Sequence, residues 1–164
     1  MNLGEIFGTL YTWFGLEDIY GSGTGELADY LWGTASSEVT TNQFISIGLT
    51  TLAIAIFIVL VYYYFFGKLM HKPSWGNIFT WLGALTLNSN AAFILGWNWT
   101  LSDFYAGDKM VTMSATTNQQ VALPIEEINC LQFGGANALV AILFFLFLCL
   151  ILKWGSRDYS HIPF

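Results

Sequence analysis

The sequence predicts an all-α integral membrane protein with three transmembrane helices and a short amphipathic N-terminal helix. Three observations carry this. Only 10% of the 164 residues are charged while 55% are hydrophobic; a soluble domain carries about 25% charged and 45–50% apolar residues. Residues 39–67, 73–102 and 128–152 contain no Asp, Glu, Lys or Arg, and each run exceeds the roughly 20 residues that a helix needs to cross a ~30 Å hydrocarbon core. The cations also fall beyond the ends of these runs rather than within them. With 5 Lys+Arg against 11 Asp+Glu and a net charge of −6, the chain has no basic surface for a phosphate backbone, so nucleic acid is excluded as a partner.

Residues 1–41 form an acidic outer segment. Leu3, Ile6, Phe7, Leu10 and Phe14 recur at helical spacing, with Glu5, Thr9 and Thr12 between them and Trp13 at the edge, which predicts an amphipathic helix. That helix is expected to lie on the outer leaflet or on a neighbouring subunit. Its acidic face favours protein over anionic lipid; packing on the chain's own loop is the alternative. Gly21, Gly23 and Gly25 then break the chain. Thr24 is positioned to cap a second short helix through Leu27, Leu31 and Trp32.

Residues 42–67 form the first span, apolar all round and entered through Thr40, Thr41 or Asn42 as N-cap. A turn, 68–74, carries Lys68, His71 and Lys72. The second span, 75–99, is less apolar and holds Thr86, Asn88, Ser89 and Asn90 near its middle. It contains no ionisable residue and reads as a crossing, with a re-entrant segment as the alternative. Residues 100–123 form an outer loop in which Met110, Val111, Thr112 and Met113 alternate as in a hairpin strand. Pro124 and the acids Glu126 and Glu127 signal the start of a helix, 124–154, that contains the third span. A tail, 155–164, follows. Trp75, Trp97, Trp99 and Trp154, with Tyr62, Tyr63 and Tyr64, stand at the ends of the spans, where amphipathic rings anchor a helix at the headgroups.

Direction follows from the cations. Lys68 and Lys72 follow span one, Lys153 and Arg157 follow span three, and only Lys109 lies between spans two and three. Three crossings put the first two groups on one side, which the positive-inside rule makes cytoplasmic. The N-terminus and the long loop are then outside and the C-terminus cytoplasmic. Ten of the 11 acids fall outside, Asp158 being the exception. The first residues carry an acid and no basic stretch, so span one is expected to act as an uncleaved signal. The expected location is a bacterial or archaeal plasma membrane or an organelle inner membrane.

Chemistry is sparse. No span contains Asp, Glu, Lys, Arg or His, the groups on which proton relays and most ion-coupled transporters depend. His71 and His161 are isolated, so no metal is expected. Cys130 and Cys149 are 19 positions apart, about 28 Å along one helix, too far for a disulfide. Asn98-Trp99-Thr100 matches the glycosylation pattern but is read as chance. Thr86, Asn88, Ser89 and Asn90 are the most informative cluster. Asn88 and Asn90 point to different sides of a helix, and each needs protein or water rather than lipid. Contacts between helices are the expected role, and a polar pathway is the alternative.

These features predict a non-catalytic accessory subunit of a larger membrane complex, of respiratory, photosynthetic or membrane-oxygenase type. It would stabilise neighbouring helices and dock a basic soluble protein on its acidic outer face. No cofactor is expected to be bound by this chain alone; bound lipid is expected. A homo-oligomeric pore lined by span two is the alternative. A membrane enzyme acting on a lipid or quinone would need a catalytic constellation that the sequence lacks.

Overall fold

The computed structural model describes residues 3–21, 26–34, 42–64, 78–106, 109–113 and 120–155. Six α-helices appear there: α1 (Leu3–Thr12), α2 (Glu17–Tyr20), α3 (Leu27–Trp32), α4 (Gln43–Tyr62), α5 (Ile78–Ala106) and α6 (Glu127–Gly155). A 3-10 turn, Trp13–Gly15, joins α1 to α2. Strands β1 (Val111–Met113) and β2 (Gln120–Ala122) pair antiparallel between α5 and α6, with Thr112 opposite Val121.

The helices α4, α5 and α6 are long and apolar enough to cross a membrane. Twenty residues give α4 a length of about 30 Å, and 29 give α5 and α6 about 44 Å each. The last two therefore stand well beyond a ~30 Å core. α5 and α6 share the most extensive interface, and α4 packs on both. α1 lies across α4 and α6, α2 against α6, and α3 against α4, so the N-terminal helices cap one end of the bundle.

Local chemistry explains the ends. Asn42 caps α4, its Oδ1 accepting from the Phe44 N–H at 3.0 Å. α3 stops at Gly33, whose φ of 78° is the left-handed conformation that side chains resist. There Gly33 N–H donates to Tyr30 O and Thr34 N–H to Asp29 O, the paired bonds of a Schellman ending. At the start of α6 the Asn129 side chain reaches back to accept from the Glu126 N–H at 2.8 Å.

Several limits differ from the sequence expectation. α4 runs to Tyr62 and passes into a π-helical turn at Tyr63 and Tyr64, and residues 65–67 lie outside the described residues. α5 continues to Ala106, so residues 100–106, expected in the outer loop, are helical. Thr100 folds its hydroxyl back onto the Gly96 carbonyl at 3.0 Å, and the Asp103 carboxylate is held by other parts of the chain, so neither polar residue ends the helix. α6 begins at Glu127 rather than 124, after a tight turn in which Ile125 N–H donates to Leu123 O. Glu26, not Thr24, precedes α3, without a side-chain cap bond. The turn 68–74, Trp75, Thr24, the tail from 156, and the side chains of Phe14 and Trp154 lie outside the described residues.

The core has two parts. At the capped end Phe7, Tyr11, Tyr20, Leu27, Leu31, Phe44 and Phe133 pack together. Tyr11 stacks on Phe44 at 5.2 Å, and Tyr20 meets Phe133 edge-on at the same distance. At the far end Val59, Tyr62, Tyr63, Trp81, Phe145 and Cys149 form a second cluster.

Candidate functional site

The polar groups of the bundle divide into an internal hub, an ion pair at its rim and an exposed stripe. The hub is Asn137, in the middle of α6 and fully buried. Its Oδ1 accepts from the Tyr11 hydroxyl of α1 at 2.5 Å and from the Thr51 hydroxyl of α4 at 2.9 Å. Its Nδ2 donates to the Ala92 carbonyl of α5 at 2.7 Å. One side chain thus ties three other helices to α6. The amide orientation follows from the partners, because two hydroxyls supply protons to an oxygen and a carbonyl receives one from a nitrogen. Burial pushes the Tyr11 phenol well above its ordinary pKa, more than the Thr51 hydroxyl lowers it. Tyr20 is raised too, first by burial and then by the Glu17 carboxylate and Tyr11. Both stay protonated, so Tyr11 is a donor to Asn137 and Tyr20 a donor to the Tyr11 carbonyl.

Small residues allow this close approach. A Cβ on Gly96 would stand 2.9 Å from the Asn137 Cβ, one on Gly48 2.3 Å from the Phe7 ring, and one on Gly8 1.9 Å from the Trp32 ring. The glycines on α1, α4 and α5 are therefore part of the fit.

The rim ion pair joins Asp103, late in α5, to Lys109. Nζ of Lys109 stands 2.5 Å from Oδ1 of Asp103, and the Tyr30 hydroxyl of α3 donates to Oδ2 at 3.0 Å. The Asp103 side chain is only 5% exposed while that of Lys109 is 53% exposed. This anchors α3 to the end of α5.

The cluster expected on span two separates as its spacing requires. Asn88 is fully buried and its Nδ2 donates to the Ala141 carbonyl of α6 at 2.9 Å. Asn90 is exposed on the opposite side, and its Nδ2 donates to Thr86 O of the same helix at 2.8 Å. Thr86 is exposed and Ser89 half-buried. The structure brings Asn88 to α6 but does not bring the four residues to one site. Trp97 and Trp99 are both half-buried, and Trp99 packs against the capped core.

The N-terminal helix turns one side to the bundle and leaves another uncovered. Phe7 is buried and Leu10 half-buried, but Leu3 and Ile6 are 56% and 44% exposed. Gly4, Phe7, Gly8 and Tyr11 form its buried side, which rests on the chain's own α4 and α6.

Sequence reasoning passed over Asn137, Thr51, Tyr11 and the Tyr30–Asp103–Lys109 group. A lone Asn in a Leu- and Phe-rich span is itself a signal, since an amide in hydrocarbon needs a partner. Among the described residues no three His, Cys, Asp or Glu side chains are grouped to hold a metal ion. Comparison with protein-family models, with curated proteins and with solved structures finds no match to this chain.

Proposed function

We propose that this chain is a non-catalytic subunit of a multi-subunit integral membrane complex, docked to its neighbours through one face of α5. One observation carries the reading. α5 is the least apolar of the three long helices and the one its own chain covers least, with 17% of its most apolar stretch buried against 33% for each of the others. A chain alone in lipid would do the reverse, turning its most polar span inward. The uncovered face bears Gly83, Thr86 and Asn90, with Phe79 and Leu87 beside them. A small residue and two side chains with spare hydrogen-bonding capacity make a contact surface for a second helix. Bundles of respiratory, photosynthetic or membrane-oxygenase type are built from such contacts. The acidic residues of the N-terminal segment, Glu5 and Asp18 among them, support docking of a basic soluble protein on the same side as the cap.

The same stripe favours a second reading, a ring of identical chains with α5 lining a pore. Purification in mild detergent separates the two. Different subunits migrating with the chain in fixed ratio are expected, and Gly83→Leu and Asn90→Leu are expected to weaken that association about tenfold, the value of roughly 1.4 kcal/mol of helix contact. A ring of identical chains whose conductance falls in Asn90→Leu supports the pore instead. A monomer indifferent to both substitutions sinks both readings. Asn88→Leu is no test, because Asn88 holds α6.

The proposed orientation puts the cap outside and the C-terminus in the cytoplasm, in a bacterial or archaeal plasma membrane or an organelle inner membrane. A thiol reagent that does not cross membranes is expected to label Ser22→Cys but not Ser74→Cys in intact cells or organelles. The opposite pattern overturns the orientation.

A further inference from the structure

An open groove of about 620 Å³ runs along the last turns of α5 beside the start of α4. Its wall changes character turn by turn. Along α5 the lining runs from Ile94 and Leu95 through Asn98 and Trp99 to Ser102 and Asp103, and Gln43 and Lys109 complete it. Apolar gives way to aromatic and amide, then to hydroxyl and carboxylate, over eight residues of helix or about 12 Å. Such a gradient matches the passage from acyl chain through glycerol to headgroup. The position suits it, since α5 is about 44 Å long against a ~30 Å hydrocarbon core and the groove lies along its last turns.

We infer that this groove holds one glycerophospholipid with an ethanolamine-type headgroup, acyl chains against Ile94 and Leu95 and headgroup between Asn98 and Lys109. The polar wall offers a cation and both hydrogen-bonding roles. Lys109, half exposed and held in place by Asp103, is a donor for the phosphodiester oxygens, as is the Ser102 hydroxyl. Asn98 uses its Nδ2 on the Ile94 carbonyl at 3.0 Å, which leaves its Oδ1 to accept from an ammonium N–H. Asp103 is engaged by Lys109 and Tyr30, so the ammonium falls to Asn98. A choline headgroup has no N–H to donate, and a glycerol headgroup offers Asn98 only neutral hydroxyls in place of a charged donor. The groove thus distinguishes lipids that share the same phosphodiester.

The test is native mass spectrometry of the full chain released from detergent with equimolar phosphatidylethanolamine, phosphatidylcholine and phosphatidylglycerol. One bound phosphatidylethanolamine is expected, favoured about tenfold over either competitor, the effect of one charge-assisted hydrogen bond. Asn98→Leu is expected to abolish the preference over phosphatidylcholine. Its amide bonds only its own helix, so the fold should survive. Lys109→Gln should lose the lipid and Lys109→Arg should keep it. Equal retention of the three lipids, preference for phosphatidylglycerol, displacement by inorganic phosphate, or an Asn98→Leu variant as selective as the parent each overturns the proposal. The α5 docking variants at Gly83 and Asn90 lie outside the groove lining, so loss of assembly and loss of lipid are separate results.

Discussion

Asn137→Ala is expected to destabilise the bundle by about 2–4 kcal/mol. A hydrogen bond between membrane helices is worth only about 0.6 kcal/mol on average, because the unfolded chain in a membrane also finds partners. Asn137 makes three such bonds, to Tyr11, Thr51 and Ala92. Its loss leaves two hydroxyls and a carbonyl buried together, and a cavity where the amide stood. Tyr11→Phe removes one bond and no volume beyond the hydroxyl, so it is expected to cost only about 1 kcal/mol. Denaturant unfolding in mild detergent measures both. Hydrogen exchange adds the diagnostic reading: amides of α1 should exchange much faster in Asn137→Ala, while the far half of α4 keeps its protection. A cost below about 1 kcal/mol with α1 still protected would show that aromatic packing, not the hub, holds the cap.

What could be read from the sequence follows from the range of the forces involved. The three long helices are legible because crossing a bilayer is a local demand, met within one charge-free run. The separation of Asn88 from Asn90 is legible for the same reason, since it needs only helical periodicity. The cap is not local. Tyr11 and Asn137 are 126 residues apart, and nothing near Tyr11 marks it as a partner for an amide in the last helix. Asn137 was hidden by averaging, since one polar residue barely moves the hydropathy of a Leu- and Phe-rich run. Asp103 was placed in a loop because a charge usually ends an apolar helix; here Tyr30 and Lys109 hold it, and neither can be found from residues adjacent to it. The side of α1 that rests on the bundle was not legible for a different reason. Counting apolar side chains selects Leu3, Ile6, Phe7, Leu10 and Phe14, and the period is right. The buried set, Gly4, Phe7, Gly8 and Tyr11, lies about a quarter-turn away. Glycine scores nothing in a hydrophobic count, yet close packing against large rings makes it the residue that belongs inside.

The same kind of fit governs a second substitution, at Gly48. In a free helix Gly48→Ala would gain about 1 kcal/mol of propensity. In this fold the new Cβ would lie 2.3 Å from the Phe7 ring, well inside van der Waals contact. Phe7 is itself wedged, buried at 5% exposure and edge-on to Phe144 at 6.4 Å, so the ring has little room to turn away. α1 must lift, which also stretches the Tyr11 bond to Asn137. A net loss of about 1–3 kcal/mol is expected, the usual cost of overpacking a core. Phe7→Ala alone should lose about 3–5 kcal/mol by emptying the same space. The decisive measurement is the pair together. With the ring gone, the methyl on residue 48 has space, and the double variant should be at least about 1 kcal/mol more stable than the two single losses predict. Strict additivity would mean that α1 does not rest on α4 through this contact. A coupled result would establish that the glycine on α4 and the phenylalanine on α1 form one fit, and that the cap is built on the bundle rather than merely adjacent to it.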